Sequence, residues 1–328
     1  MLSVRVARGT PSSLRFPRDR QTHLNASNPT VRVSSRVSAV WPVCLAWALK
    51  EQTLLLEIKE EKWGNLKALR LDFTKVGTME KAVWPVSLER LSFGGDFNKS
   101  VANVVWPRSL LQLILSDCFN QPVVDVEWPR LLQQLEFGRD FNQPIVGVQW
   151  PAELRMLKFA CKQVHERTRF NRPLLGIQLP DTLQTLDFGD CFNQHVLGVR
   201  WPTRLHHLEF GHRFNQPIVG PQWPGGVRTL TFGHRFNQPI IGVLWPHGLQ
   251  QLTIGNGFNQ PIAGSKWPVG LQQLQFGHRF NQPIREAQWP EGVQQLEFGD
   301  SFNQCIQAFH WLMGCRSWSS DASLTSYS

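Results

Sequence analysis

The chain has 328 residues, with 34 Lys and Arg against 25 Asp and Glu, so its formal net charge is +9. No apolar run approaches the roughly 18–20 residues that a membrane-spanning helix needs, and no secretory signal follows the N-terminus. The six cysteines lack metal-ligand spacing and do not recur at a regular interval. We therefore expect no membrane segment, reduced thiols and a cytoplasmic location.

Residues 1–40 form a basic segment without usable periodicity. They hold seven Arg and one Asp, and seven minus one accounts for six of the nine net charges. This composition predicts a disordered basic tail. Two alternatives remain: an organellar import signal, which is typically Arg- and Ser-rich, or an arm that binds nucleic acid.

Residues 41–83 contain two degraded copies of a repeat that becomes regular later in the chain. Trp41-Pro42 opens one copy and Trp63 opens the other, with a charged stretch between them. Terminal repeats are atypical because they must cover the bare core with polar residues. We predict that 41–83 is an N-terminal cap.

Residues 84–311 repeat every 22 residues with the consensus WPxxLxxLxFGxxFNQPIxGVx. Such a period predicts a solenoid, with one supersecondary unit per coil. One unit carries seven extra polar residues within 160–169, which we expect to loop out of the stack. Residues 312–328 lose the pattern and become Ser-rich, as in a C-terminal tail.

Each unit predicts one clear strand, in the segment LxxLxF, where apolar and polar residues alternate. The following Gly suits a turn because of its permissive dihedral angles, and we expect a second short strand at xGV. The fold class is therefore a β-rich solenoid of about ten coils with parallel strand ladders, resembling leucine-rich repeats.

One asparagine recurs at the same place in every unit. Its side chain can bond backbone groups of its own turn and of the next coil, so we predict a structural ladder. The ladder consists of Asn98, Asn120, Asn142, Asn171, Asn193, Asn215, Asn237, Asn259, Asn281 and Asn303.

The core motif LxFGxxFNQPI, preceded by Pro-x-x-Leu or Pro-x-x-Val, resembles the FNIP repeat, a relative of the leucine-rich repeat. Trp stands before the Pro where that repeat usually has a small aliphatic residue, which indicates a Trp-rich variant. The resemblance covers about 225 residues. It implies a role in protein–protein interaction.

No constellation in the sequence predicts catalysis, a metal site or a cofactor. His206 and His207 should face opposite sides of a strand, whereas a zinc site needs three or four convergent ligands. The acidic residues Glu136, Asp187 and Glu209 read as scattered, without basic partners in the same rank. We expect a protein that is not an enzyme.

Two sets of exposed residues are candidates for binding. The strand face carries Gln134, Gln251, Gln273, Gln295, Glu209 and Glu297. These residues either solvate the sheet through a ladder of glutamines or form the binding face for a protein partner, as the strand face does in leucine-rich repeats.

The second candidate is a basic edge in the turn after the strand, formed by His212, Arg213, His234, Arg235, His278 and Arg279. Repeat duplication alone explains it, but it also suggests electrostatic binding to nucleic acid or another polyanion. Three arginines interrupted by a neutral coil make a poor track for a polyanion. We therefore favour a scaffold that binds a protein partner, with polyanion binding as the alternative.

Overall fold

The computed structural model describes residues 2–5, 30–34, 66–72, 79, 82, 84–159, 168–290, 292–304 and 317–320. Most of the regular repeats lie within these ranges. Residues 160–167, at the predicted insertion, lie outside the described residues.

The described part of the chain forms one parallel sheet of fourteen strands, arranged in the order of the sequence. The strands are β1 (Leu2–Arg5), β2 (Thr30–Ser34), β3 (Ala68–Asp72), β4 (Arg90–Gly94), β5 (Gln112–Ile114), β6 (Gln134–Glu136), β7 (Met156–Lys158), β8 (Thr185–Asp187), β9 (His207–Glu209), β10 (Thr229–Thr231), β11 (Gln251–Thr253), β12 (Gln273–Gln275), β13 (Gln295–Phe298) and β14 (Ser317–Ser320). Equivalent repeat positions pair across neighbouring strands, as Leu230 does with Leu252. The predicted β-rich solenoid with parallel strand ladders is confirmed.

Three tight turns bend each coil away from its strand. In one central coil the bonds run from Leu249 N–H to the Pro246 carbonyl (3.1 Å), from Phe258 N–H to Gly255 (3.0 Å) and from Ser265 N–H to Ile262 (3.0 Å). The last of these turns lies where we expected a second strand at xGV, and that expectation was wrong. The third residue of this turn is a glycine with positive φ, such as Gly242 with φ 84°. A positive φ at this place is typical of a type II turn and does not occur in a β-strand.

Columns of identical side chains fill the core. The two Phe rings of one coil stack, as Phe232 and Phe236 do at 4.3 Å between ring centroids, and Phe236 stacks on Phe258 of the next coil at 6.1 Å. Trp201 and Trp223 stack in the same way at 6.0 Å. Because these rings pack against rings of neighbouring coils, one coil cannot bury its own core, and stability belongs to the stack.

The glycine that follows the strand has a different role from the one the sequence suggested. Among these glycines Gly189 has a positive φ of 71°, whereas Gly211, Gly233 and Gly255 do not have one. A Cβ atom on Gly255 would instead overlap the carbonyl oxygen of Gly233 in the preceding coil. Close approach of two backbones, rather than dihedral freedom, excludes a side chain here.

The recurring asparagines bond from coil to coil. The side-chain oxygen of Asn237 accepts the backbone N–H of Asn259 at 2.8 Å, and the same bond joins each consecutive pair from Asn98 to Asn303. The glutamine after each asparagine often adds a donor, as Gln260 does to Asn237 at 3.2 Å. These asparagines are half-buried or exposed, so the ladder runs along the surface.

We expect Asn237→Ala to lower the free energy of unfolding by about 1 kcal/mol, because it removes the acceptor of the Asn259 N–H group while water can still reach that group. Gln238→Ala should cost about half as much, since its amide only adds a donor to Asn215. Urea titration followed by circular dichroism measures both. Equal losses in the two variants would contradict the ladder.

The predicted domain boundaries at residues 40, 83 and 311 stay predictions, but strands extend beyond the regular repeats. Residues 1–40, predicted as a disordered tail, contribute β1 and β2, and β14 lies within the predicted C-terminal tail. In the segment Thr30–Ser34 three of the five residues are β-branched, namely Thr30, Val31 and Val33, which suits a strand. An exposed sheet edge offers unpaired backbone groups to such a strand.

Candidate functional site: the strand face

The strand face consists of the outward side chains of β4–β13, two from each strand, on either side of a buried leucine. The first strand residues form one rank: Arg90, Gln112, Gln134, Met156, Thr185, His207, Thr229, Gln251, Gln273 and Gln295. The third strand residues form the other: Ser92, Ile114, Glu136, Lys158, Asp187, Glu209, Thr231, Thr253, Gln275 and Glu297. The result is a mostly polar surface about ten strands long, in which Ile114 and Met156 are the apolar members.

The structure brings only part of the predicted glutamine and glutamate set together. Gln251, Gln273 and Gln295 are direct neighbours in one rank, whereas four other strands separate Gln134 from them. Gln251 accepts a bond from the Thr229 hydroxyl (3.3 Å), and Gln295 donates to the Glu297 carboxylate. The hydrogen bonds of these two glutamines thus run to Thr229 and Glu297.

Charged side chains concentrate in the middle of the strand face. Glu136, Lys158, Asp187 and Glu209 are consecutive members of one rank, so the lysine stands between two carboxylates. Our reading of Glu136, Asp187 and Glu209 as scattered and without a basic partner was therefore wrong. The seven-residue insertion hides this register in the sequence, because it separates Lys158 from Asp187 by 29 positions instead of 22.

Burial and neighbouring charge change how these carboxylates titrate. Asp187 is 8% exposed, and burial, reinforced by the nearby Glu209, raises the pKa of Asp187 to about 6. The Gly189 N–H group donates to its carboxylate at 2.9 Å and opposes that shift. The hydrogen bond from His207 lowers the pKa of Glu209, with 3.5 Å between its Nε2 and Oε2 of Glu209. Glu209 is thus charged at neutral pH, whereas Asp187 gains or loses its proton near pH 6.

Lys158 and His207 are strand-face residues that the sequence analysis missed. The signal was available: each occupies an outward position of LxxLxF once the units are aligned across the insertion. Counting from the Trp-Pro that opens each coil, Trp150 for Lys158 and Trp201 for His207, would have placed both in the correct ranks, because the insertion comes after the strand.

The predicted basic edge is present but discontinuous. Arg213, Arg235 and Arg279 are exposed at the same turn position, and Gly257 occupies the coil between the last two. His212 and His234 stack at 4.7 Å between ring centroids. His278 Nδ1 lies 2.8 Å from a carboxylate oxygen of Asp300.

The same edge carries the opposite charge in the first coils. Asp96 and Asp140 occupy the position that Arg213 and Arg235 hold later, and Asp117 occupies the position of His212. Asp140 in turn pairs with Arg139 at 3.1 Å and with Arg169 at 3.3 Å. A polyanion that followed this edge would meet an aspartate in five of its ten coils: Asp96, Asp117, Asp140, Asp190 and Asp300.

Within the described ranges, no three His, Cys, Asp or Glu side chains converge so as to hold a metal ion. The model also has no helix in those ranges that could cross a membrane. Cys118 and Cys191 are free thiols, and burial raises the pKa of Cys118, as do several aspartates around it.

Residues 214–257 and 258–288 match the family model described as FNIP Repeat. The predicted resemblance to this repeat is therefore confirmed for that part of the chain. No curated protein matches the sequence.

Several solved structures are similar. CroV588, described as a novel circular LRR protein structure, is 32% identical with a TM-score of 0.57, and the match covers 74% of this chain and 44% of CroV588. YopM from Yersinia enterocolitica WA-314 is 19% identical with a TM-score of 0.37, covering 78% of this chain and 60% of YopM. An internalin, InlF, from Listeria monocytogenes strain 4b F2365 is 13% identical with a TM-score of 0.46, covering 79% and 81%. The chain thus spans less than two thirds of CroV588 and of YopM, and its fold is of the leucine-rich-repeat type.

Proposed function

We propose that this chain, which carries FNIP repeats in a leucine-rich-repeat-like solenoid, is a non-enzymatic scaffold that binds a protein partner through its strand face. The observation that carries the proposal is the mostly polar surface of β4–β13, held by a column of buried leucines. Binding sites on rigid elements need little reordering when a partner docks.

The two halves of the strand face suit different parts of one partner. Between β10 and β13 the surface is mostly neutral and presents hydrogen-bonding amides and hydroxyls, such as Gln251, Thr253 and Gln273. Between β6 and β9 three carboxylates stand against one lysine. Because opposite charges across an interface favour encounter and register, the partner segment over β6–β9 is expected to carry Lys or Arg.

The basic edge supports the alternative less well. Polyanion affinity rises with the number of phosphates that are neutralised, and its salt dependence rises with the same number. Four exposed arginines at this turn position, Arg169, Arg213, Arg235 and Arg279, are interspersed with aspartates such as Asp96, Asp140 and Asp300, which gives a weak field of mixed sign along this edge.

The test compares two triple variants in capture of cross-linked partners from the native cell. Gln251, Gln273 and Gln295 are replaced by alanine in the strand-face variant, and Arg213, Arg235 and Arg279 by serine in the edge variant. We expect the strand-face variant to lose at least ten-fold in recovery of the partner that the unmodified chain captures. The edge variant should retain that partner.

Loss of the partner in the edge variant alone, together with salt-sensitive binding of a duplex DNA probe, would contradict the proposal and move the binding surface to the edge. Circular dichroism confirms that each variant is folded. All six substituted side chains are half-buried or exposed, so the core is unchanged in both proteins.

A further inference from the structure

A line of exposed aliphatic side chains runs along the turn side of the solenoid, away from the strand face. We name it the aliphatic ridge. It consists of the second residue of the Ile-x-Gly-Val turn in six consecutive coils: Val124, Val146, Leu175, Leu197, Val219 and Ile241. The other large aliphatics that are exposed in the described part of the chain, Val86, Val105, Leu131, Leu244 and Val269, do not line up in neighbouring coils.

The ridge is an ordered feature of the turn. Each of its first five side chains lies over the glycine of the following coil, and carbon atoms of Val124 and Leu197 come within 3.7 and 3.5 Å of where a Cβ on Gly147 and Gly220 would stand. The side chains nevertheless remain 38–71% exposed. An apolar line of this length that faces water marks an interaction surface more often than an isolated exposed residue does.

The surroundings of the ridge are uncharged over most of its length. In the six coils from Gly147 to Gly264, the residue after each ridge position is glycine. The residue two positions before it is an exposed proline, except in the coil where it is His195. The aliphatic ridge ends in the ninth regular coil, where Arg285 occupies the ridge position. Asp125 stands at the glycine position beside Val124, so the uncharged strip spans six coils, and a partner that covers these six coils must itself be apolar.

The order of side-chain sizes along the ridge is nearly the same from both ends, with Val124 corresponding to the slightly larger Ile241. Including the alanines at its two ends, it reads Ala102, Val124, Val146, Leu175, Leu197, Val219, Ile241 and Ala263. The largest and most exposed residues, Leu175 (71%) and Leu197 (64%), are at the centre. A surface with this symmetry complements itself across a two-fold axis.

We propose that the aliphatic ridge is a homodimer interface, in which a second copy of this chain packs antiparallel about a two-fold axis between Leu175 and Leu197. Each residue then faces its counterpart of similar size. Leu175 meets Leu197 of the second copy, and Val146 meets Val219 of the second copy. This interface goes beyond the proposed function, because it leaves the strand face of both copies open.

The area of the ridge is close to what a dimer needs. Eight coils at about 4.8 Å span about 38 Å, and the four residues from proline to glycine add a width of about 13 Å. Each copy thus contributes on the order of 500 Å², and about 1,000 Å² in total is the lower bound for a specific interface. We expect reversible dimers with a dissociation constant in the micromolar range.

Sedimentation velocity between about 1 and 100 µM tests the dimer. The unmodified chain should shift from monomer to dimer over this range. L175E with L197E should remain monomeric throughout, a loss of at least ten-fold in affinity. V86E with V269E places the same charges on aliphatics that are off the ridge and even more exposed, and this variant should dimerise as the unmodified chain does.

A charge exchange tests the antiparallel register. V146E with V219E puts like charges opposite each other and should abolish the dimer, whereas V146K with V219E creates two opposite pairs and should restore it. Parallel packing would place each residue against the same residue of the second copy. V146K with V219E would then put lysine against lysine and glutamate against glutamate, and the two copies would repel each other. A chain that stays monomeric at 100 µM, a dimer that survives L175E with L197E, or failure of the charge exchange to restore dimers would each overturn the proposal.

Discussion

Gly255→Ala is expected to lower the free energy of unfolding by more than about 3 kcal/mol. The added Cβ would overlap the carbonyl oxygen and carbon of Gly233, which belong to the backbone of the preceding coil. A flexible side chain can move away, but this backbone is held by the Phe236 N–H bond to Gly233 and by the strand ladder. The coils must separate locally, and the Phe columns on both sides lose contact.

Gly270→Ala is the matched control. The nearest atoms to its Cβ would be carbonyl oxygens at 3.7 and 3.8 Å, an ordinary contact distance. Its stability should change by less than about 0.5 kcal/mol. Urea unfolding at fixed pH compares the two, and a Gly255→Ala variant as stable as Gly270→Ala would contradict the close approach.

The exception in the second regular coil supports this reading of the glycine rank. Ser116 occupies the equivalent position there, and its hydroxyl donates to the Phe97 carbonyl at 2.6 Å. The preceding turn runs through Gly95, which has φ 60°. A side chain is therefore accepted where the backbone of the preceding coil takes another path.

The second expected result is that Asp187→Asn stabilises the protein by about 1–3 kcal/mol at pH 7.5 and has little effect near pH 4. The folded pKa of about 6 lies above the ordinary value of an aspartate, so the folded state holds its proton more tightly than the unfolded state. Stability therefore falls as the pH rises from about 4 to about 6 and is constant above that range. Asparagine carries no charge to bury and can still accept the Gly189 N–H bond.

Asp125→Asn is the control, because Asp125 is an exposed aspartate away from the strand face. It should change stability by less than about 0.5 kcal/mol at both pH values. Chemical unfolding at pH 4 and 7.5 distinguishes the two variants. A destabilised Asp187→Asn variant at pH 7.5 would show that attraction from Lys158 and His207 outweighs the cost of burying the carboxylate.

The period of 22 residues, the single strand in LxxLxF and the columns of Leu, Phe and Trp could all be predicted from the sequence. They depend on local alternation and on identical positions stacking in register, and both are visible in one chain. The bonds of the recurring asparagine follow from the same rule, because a group at a fixed position meets its own copy in the next coil.

Other properties depend on atoms that only the tertiary structure brings together. The glycine after the strand reads as a turn residue until the carbonyl of the preceding coil, 22 positions away, is seen beside it. The turn at Ile-x-Gly-Val reads equally well as a strand, since periodicity does not distinguish short apolar segments. The positive φ of Gly242 decides between them.

The charged centre of the strand face is the clearest case. The residue types of Glu136, Lys158, Asp187 and Glu209 are plain in the sequence, but their adjacency depends on how the chain resumes its register after the insertion. The raised pKa of Asp187 follows from burial and from the charge of Glu209, and both arise only when neighbouring coils stack. The sequence by itself determined the repeat and its core. The stacking of coils decided which side chains share a surface, because paired residues of neighbouring coils lie about 5 Å apart although a whole coil of sequence separates them.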